Sequence, residues 1–145
     1  MHVWWRVPFE PGILKAVSRK AGKDVLIKEV HTTDKPESIR LTADRTAIAS
    51  GGKDLSFITV EALDANGNIV PTADQLIRFS LDGDGMIAGT DNGDPTDPIS
   101  LNQPERKLFN GKALIVIKSG KKRGTLTLSA SGEGLNTTTL TIRCN

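Results

Sequence analysis

The chain is predicted to be all-β: an immunoglobulin-like β-sandwich from about residue 38, preceded by a few strands of a truncated second sandwich domain. Three observations predict this. Apolar and polar residues alternate with period two in short runs, Gly, Pro, Asn and Asp break those runs at near-regular spacing, and helical periodicity is absent. From residue 38 on, roughly seven such runs fit into about 105 residues, the count and length of an immunoglobulin-like sandwich. The Cys…Trp…Cys set of antibody domains is missing, so the term describes architecture alone.

The stretch from Leu55 to Leu81 carries the clearest pattern. Ile58, Val60 and Ala62 share one face of a strand, with Thr59 and Glu61 on the other. Asp64-Ala65-Asn66-Gly67-Asn68 interrupts it, Ile69-Val70-Pro71 resumes it, and Ile77, Phe79 and Leu81 then alternate with Arg78 and Ser80. Before it, Ile39, Leu41 and Ala43 alternate, Asp44-Arg45-Thr46 breaks the strand, and Ala47-Ile48-Ala49 continues it. After it come a turn at Asp82-Gly83-Asp84-Gly85, a short apolar run Met86-Ile87-Ala88, and a long polar loop from Gly89 to about Lys107. Leu108 to Lys118 reads as one strand with Ala113, Ile115 and Ile117 on one face. Leu126, Leu128 and Ala130, then Thr138, Leu140 and Ile142, mark the last two.

Residues 3–34 read as three short strands: Val3 to Val7, ended by Pro8; Ile13 to Arg19; and Val25 to His31. Three strands make an incomplete sandwich, so residues 1–34 are expected to be the last strands of a preceding domain, cut by the start of the chain. Thr32-Thr33-Asp34-Lys35-Pro36-Glu37 reads as the linker. The charge supports two units. Residues 1–35 hold seven Lys/Arg against four Asp/Glu, and the remainder twelve against thirteen.

With 145 residues, 37% hydrophobic and 25% charged, the composition is that of an ordered globular chain. A formal charge of +2 gives no footprint for nucleic acid or a membrane surface. No run approaches the roughly 18 apolar residues of a bilayer span, and the first residues show no secretory pattern. The one cysteine, Cys144, excludes an intramolecular disulfide and reads as a frayed, inert terminal thiol.

The run Trp4-Trp5-Arg6-Val7-Pro8-Phe9-Glu10-Pro11-Gly12-Ile13-Leu14-Lys15-Ala16-Val17 resembles the last strands of the immunoglobulin-like domain that follows the catalytic barrel in bacterial family 2 glycoside hydrolases. From Ile39 through Leu63-Asp64-Ala65-Asn66-Gly67-Asn68-Ile69-Val70-Pro71 and Asp91-Asn92-Gly93-Asp94-Pro95 to Gly111-Lys112-Ala113-Leu114, the chain resembles the C-terminal domain of β-galactosidases in that family. It also has the general look of bacterial invasin-like repeats. The resemblance implies a parent enzyme that cleaves β-galactosides with two glutamates on a (β/α)₈ barrel, in the periplasm or outside the cell. Neither barrel nor motifs is present, so no catalytic residue is carried over. This chain is expected to be its non-catalytic accessory domain, with the barrel as intramolecular partner. The alternatives are a carbohydrate-binding module and a cell-surface adhesion repeat. A homodimer through the open strand edges of residues 1–34 is also expected to be accessible.

No catalytic, cofactor-binding or metal-binding residue is assigned. Retaining glycoside hydrolysis needs two carboxyl groups about 5–5.5 Å apart, whereas Glu10, Glu29, Glu37, Glu61, Glu105 and Glu133 are scattered over turns and outward faces. His2, His31 and Cys144 offer no scaffold for a nucleophile and base. Asp82, Asp84, Asp91, Asp94 and Asp97 are hard oxygen ligands suited to Ca²⁺, but their spacing departs from a calcium loop and suits turn capping better. Trp4 and Trp5, adjacent in an expected strand, point to opposite faces, so packing within the truncated domain is favoured over a sugar platform. Lys118, Lys121, Lys122 and Arg123 form a basic hairpin tip, read as a solvated turn.

Overall fold

In a computed structural model, residues 4–145 are described; Met1, His2 and Val3 lie outside the described residues. The chain divides into two compact units, Met1–Thr33 and Asp34–Asn145. No helix occurs among the described residues.

The first unit is a single hairpin of β1 (Ile13–Lys20) and β2 (Lys23–His31), antiparallel, with Lys15 opposite Glu29 and their side chains 2.9 Å apart. The connection is the two-residue turn Ala21-Gly22, both at positive φ, the geometry that matches strand twist. Apolar residues lie on both faces, Leu14 opposite Val30 on one and Val17 opposite Ile27 on the other, and all four are exposed or half-exposed. The expected strand at Val3–Val7 is corrected: Trp4–Val7 are not in a strand. An extended run becomes a strand only when another strand takes up its amides and carbonyls, and none among the described residues does so.

The second unit is a two-layer sandwich. One sheet runs β7 (Gly85–Asp91), β9 (Lys112–Ser119), β5 (Leu55–Leu63), β3 (Ser38–Ala43). The other runs β8 (Glu105–Lys107), β6 (Leu76–Asp82), β10 (Gly124–Gly132), β11 (Leu135–Cys144), with the two-residue β4 (Ala47–Ile48) parallel to β11. The order β3-β5-β9-β7 facing β6-β10-β11 is the constant-type immunoglobulin arrangement, with β8 added at one edge. A lone parallel bridge, Asn136 to Ser38, links the layers along one side.

Alternation puts the apolar residues inside. Ile58, Val60, Ala62, Ala113, Ile115 and Ile117 meet Ile77, Phe79, Leu126, Leu128, Ala130 and Ile142 in one buried cluster. The chain changes sheets between β3 and β4, where Asp44 Oδ1 accepts from the Phe57 amide at 2.8 Å and from Ser56 Oγ at 3.2 Å. Leu63 bridges Ile69 around a turn organised by the buried Asp64, whose Oδ1 accepts the amides of Asn66 and Asn68 at 3.0 and 2.9 Å.

Several boundaries differ from the expectation, and the loop expected from Gly89 begins only after β7, which pairs with β9 through Asp91. The run Leu108–Lys118 is not one strand, because Asn110 and Gly111 both take positive φ and turn the chain back, with Phe109 bridging Lys112. The loop expected to reach Lys107 ends earlier, because Glu105–Lys107 pairs with Leu76–Arg78. Cys144 is also not frayed: it is buried at the end of β11, opposite Gly124 and Ile48.

A side chain at Gly111 would place Cβ 2.2 Å from the Val70 carbonyl oxygen, at a φ of 73°. Gly111→Ala is therefore expected to destabilise the sandwich by at least about 2 kcal/mol, from backbone strain and the clash together. Urea denaturation checks this. Deleting residues 1–33 is expected to leave the melting temperature of the sandwich nearly unchanged, since its core cluster lies wholly in the second unit. A calorimetric scan of both forms measures it.

Candidate functional site

The aspartates expected to gather in two turns serve those turns. Asp91 Oδ1 accepts the amides of Asn92 and Gly93 at 2.7 and 3.1 Å, and Asp94 Oδ1 accepts the Thr96 amide at 2.9 Å and its hydroxyl at 2.7 Å. Asp84 Oδ2 accepts the Lys122 amide at 2.6 Å, which pins the basic hairpin tip to the β6–β7 turn. Asp82 ends β6, exposed. Among the described residues, no group of three or more His, Cys, Asp or Glu side chains converges as a metal site.

Asp97 belongs to a different arrangement, absent from the sequence reading. Arg106, on β8, is 1% exposed. Its Nη1 donates to Asp97 Oδ2 at 3.1 Å and to the Ile99 carbonyl at 2.7 Å; its Nη2 donates to the Thr90 and Ser100 carbonyls at 3.1 and 2.8 Å. Nε reaches Thr90 Oγ1 at 3.3 Å. Asn92 Nδ2 donates to the same Asp97 oxygen at 2.8 Å. One guanidinium thus holds the segment between β7 and β8 closed on itself. Glu105-Arg106-Lys107 is polar throughout, so period two carried no sign that its middle residue points inward beside Ile77. The pairing of a lone Arg with an Asp nine residues earlier is too common to signal burial.

The glutamates stay apart in their roles. Glu29 pairs with Lys15, Glu105 lies 3.5 Å from Arg78, and Glu61 is held by Arg40 at 2.7 Å and Lys112 at 2.9 Å across three adjacent strands. His31 lies 3.7 Å from Glu29, and His2 is outside the described residues. Lys121, Lys122 and Arg123 are exposed at the tip, while Lys118 is half-buried on β9. Trp4 and Trp5 are 73% and 61% exposed. Because Trp4–Val7 form no strand, pleating does not force the two rings to opposite faces.

Electrostatics favour the charged carboxylates. Burial pushes Glu61 up, but Lys112 and Arg40 outweigh it and hold its carboxyl below the ordinary 4.5. Burial likewise opposes ionisation of Asp64, and the amides of Asn68, Asp34 and Asn66 overcome it, leaving the group below 3.8. The Ile99 amide and the Arg106 guanidinium lower Asp97 against its burial. Burial, with Asp84 and Asp54 nearby, pushes the Cys144 thiol up, which disfavours the reactive thiolate.

Removing Arg106 leaves a buried carboxylate and several carbonyls without donors. Arg106→Ala is expected to cost about 3–5 kcal/mol, the range for breaking a buried pair, read by chemical denaturation with proteolysis locating the opened segment at residues 92–104. Folded carboxylates held below their unfolded values bind fewer protons than the unfolded chain in acid. Stability is therefore fully present above the ordinary values of 4.5 and 3.8 and is lost as pH falls through the lower folded values. Thermal melts across pH 2 to 7 are expected to show a plateau and then a fall below about pH 4.5, smaller in Asp97→Asn.

Residues 39–141 match the family model for glycoside hydrolase family 2 C-terminal domain 5. The chain is 48% identical over 142 residues to the β-galactosidase BoGH2A of Bacteroides ovatus, covering 98% of this chain and 17% of that protein. A solved structure of a glycosyl hydrolase family 2 member from Bacteroides cellulosilyticus aligns over 97% of this chain and 18% of its own, at 39% identity and a TM-score of 0.93. A β-glycosidase from Bacteroides vulgatus aligns over 96% and 18%, at 30% identity and a TM-score of 0.91. The chain thus spans less than a fifth of the length of these relatives. On this match, its all-β sandwich belongs to the glycoside hydrolase family 2 C-terminal domain 5 family.

Proposed function

We propose that this chain is the non-catalytic accessory region of a β-galactoside-cleaving family 2 enzyme, packing against the catalytic barrel and setting the spacing of its domains. One observation carries the reading: the polar groups of the sandwich are spent on its own architecture. The buried Glu61 is neutralised by two cations, and the buried Arg106 and Asp64 are saturated by turn and loop groups. A catalytic acid needs a raised pKa and an open cleft; Glu61 and the shifted aspartates have lowered ones. The β-galactosidase of Bacteroides ovatus, nearly six times longer than the matched region, supports the larger parent.

Residues 1–34 act, on this reading, as the last strands of a preceding immunoglobulin-like domain. A hairpin with apolar residues on both faces is marginal alone in water and gains stability when further strands cover both faces. Its open edges also admit a second copy of this chain. The competing role, carbohydrate binding, has the exposed Trp4 and Trp5 in its favour, since aromatic faces bury apolar sugar surface.

Purified alone, the chain is expected to show no turnover of an aryl β-galactoside, while the native polypeptide, recognised by antibodies against this chain, turns it over and migrates several times above 15.6 kDa. A native band at 15.6 kDa would overturn the accessory reading. Titration with galactose-containing polysaccharides, with Trp4→Ala and Trp5→Ala as controls, is expected to show no saturable binding; saturation lost in the variants would favour carbohydrate binding.

A further inference from the structure

The sandwich presents two outer faces of opposite character. On the β8–β6–β10–β11 sheet, the outward positions are Thr125, Thr127, Ser129 and Ser131 on β10, Thr139, Thr141 and Arg143 on β11, and Arg78 and Ser80 on β6. None is apolar. On the β7–β9–β5–β3 sheet, Phe57 lies opposite Val116, Leu114 opposite Thr59, and Met86 opposite Lys118, which is opposite Leu55. Phe57 is 43% and Met86 57% exposed. Side chains directly paired across strands share a face, so Leu55, Phe57, Leu114, Val116 and Met86 form an apolar patch, with Lys118 set between Met86 and Leu55.

Charged groups border this patch. Arg40, Glu61 and Lys112 form a cross-strand row along one border, and Asp91 stands opposite Leu114 at another. Beside Thr59 and Leu114, the residues Asp91, Asn92, Gly93 and Lys112 line an open depression of about 270 Å³. An apolar centre with a polar rim is the anatomy of a protein interface. Fixing the rim before binding reduces the ordering cost. Exposed apolar residues grouped on one face and bordered by polar ones are a feature of interaction sites.

We propose that this face docks against the remaining part of the same polypeptide, the enzyme body, while the hydroxyl-lined face stays in solvent. The occupant follows from length: relatives carry more than four-fifths of their chain outside the matched region. The inference rests on the accessory reading above and adds which surface is covered.

Single cysteines at Phe57 and Thr139 read the two faces, because the native Cys144 is 4% exposed and gives little background. Both positions face solvent, and melts of Phe57→Cys and Thr139→Cys verify folding. Maleimide labelling, followed on the individual peptides, is expected to be at least tenfold slower for F57C in the full-length protein than in the 145-residue chain, and unchanged for T139C. Peroxide oxidation of Met86 in the unsubstituted proteins reads the same face without a substitution, with protection again expected in the full-length protein. Equal F57C rates in the two forms, or protection of T139C instead, would overturn the docking face while leaving a large native enzyme, and so the accessory reading, standing. F57C labelling that slows as the isolated chain is concentrated into a sedimenting dimer would make a second copy the occupant and overturn the proposal. A native polypeptide of 15.6 kDa would remove both the reading and the inference.

Discussion

Two sheets closing over their alternate apolar residues are what residues 34–145 depend on. Ile58, Val60, Ile115 and Ile117 from one layer and Ile77, Leu126, Leu128 and Ile142 from the other lose all or nearly all contact with water. Each such side chain contributes about 1.5–3 kcal/mol relative to exposure. Because the side-chain period in a strand is two, a one-residue slip in any ladder would turn a whole row outward. Register is therefore set by the core, and the turns need only agree with it.

Where the chain leaves the ladders, its backbone groups need other partners, and acidic side chains supply them. Asp44 satisfies the Phe57 amide at the switch between sheets, Asp64 gathers the amides of the β5 turn, and Asp97 with Arg106 closes the segment between β7 and β8. These are the groups whose carboxyls are held below ordinary values, through hydrogen bonds that favour the charged form over its desolvation. An aspartate-rich loop in this chain is thus a backbone device before it is anything else. Of the aspartates that resembled ligands, Asp84, Asp91, Asp94 and Asp97 accept backbone amides.

Apolar side chains also remain on surfaces. The hairpin of residues 13–31 exposes apolar side chains on both sides, and the sandwich exposes them on one. The domain covers less than a fifth of the length of its relatives, and the two outer faces of its sandwich are unequal in apolar content. The Arg40–Glu61–Lys112 row links three strands on that side and leaves the buried Glu61 carboxylate paired with two cations.

Much was legible from residue order alone. Ile58, Val60 and Ala62 inside, Ile77 and Phe79 inside, and Leu126, Leu128 and Ala130 inside all follow from alternation, because pleating is a local property of a strand. The family was legible from the runs at Trp4–Val17 and Leu63–Pro71. Short-range turn chemistry was legible but partly overlooked: Asn110-Gly111 is a two-residue hairpin signal set within an otherwise strand-like run. What tertiary structure decided was pairing and burial over distance. Whether Trp4–Val7 becomes a strand depends on a partner, not on its own residues. Cys144 is buried because β4 crosses over to pair with the last strand. Arg106 is buried because a polar three-residue edge strand pairs beside Ile77 and five groups from the preceding segment converge on it. Alternation is written residue by residue, whereas which strands meet depends on the free energy of the whole closed sandwich, and no single stretch of the sequence carries it.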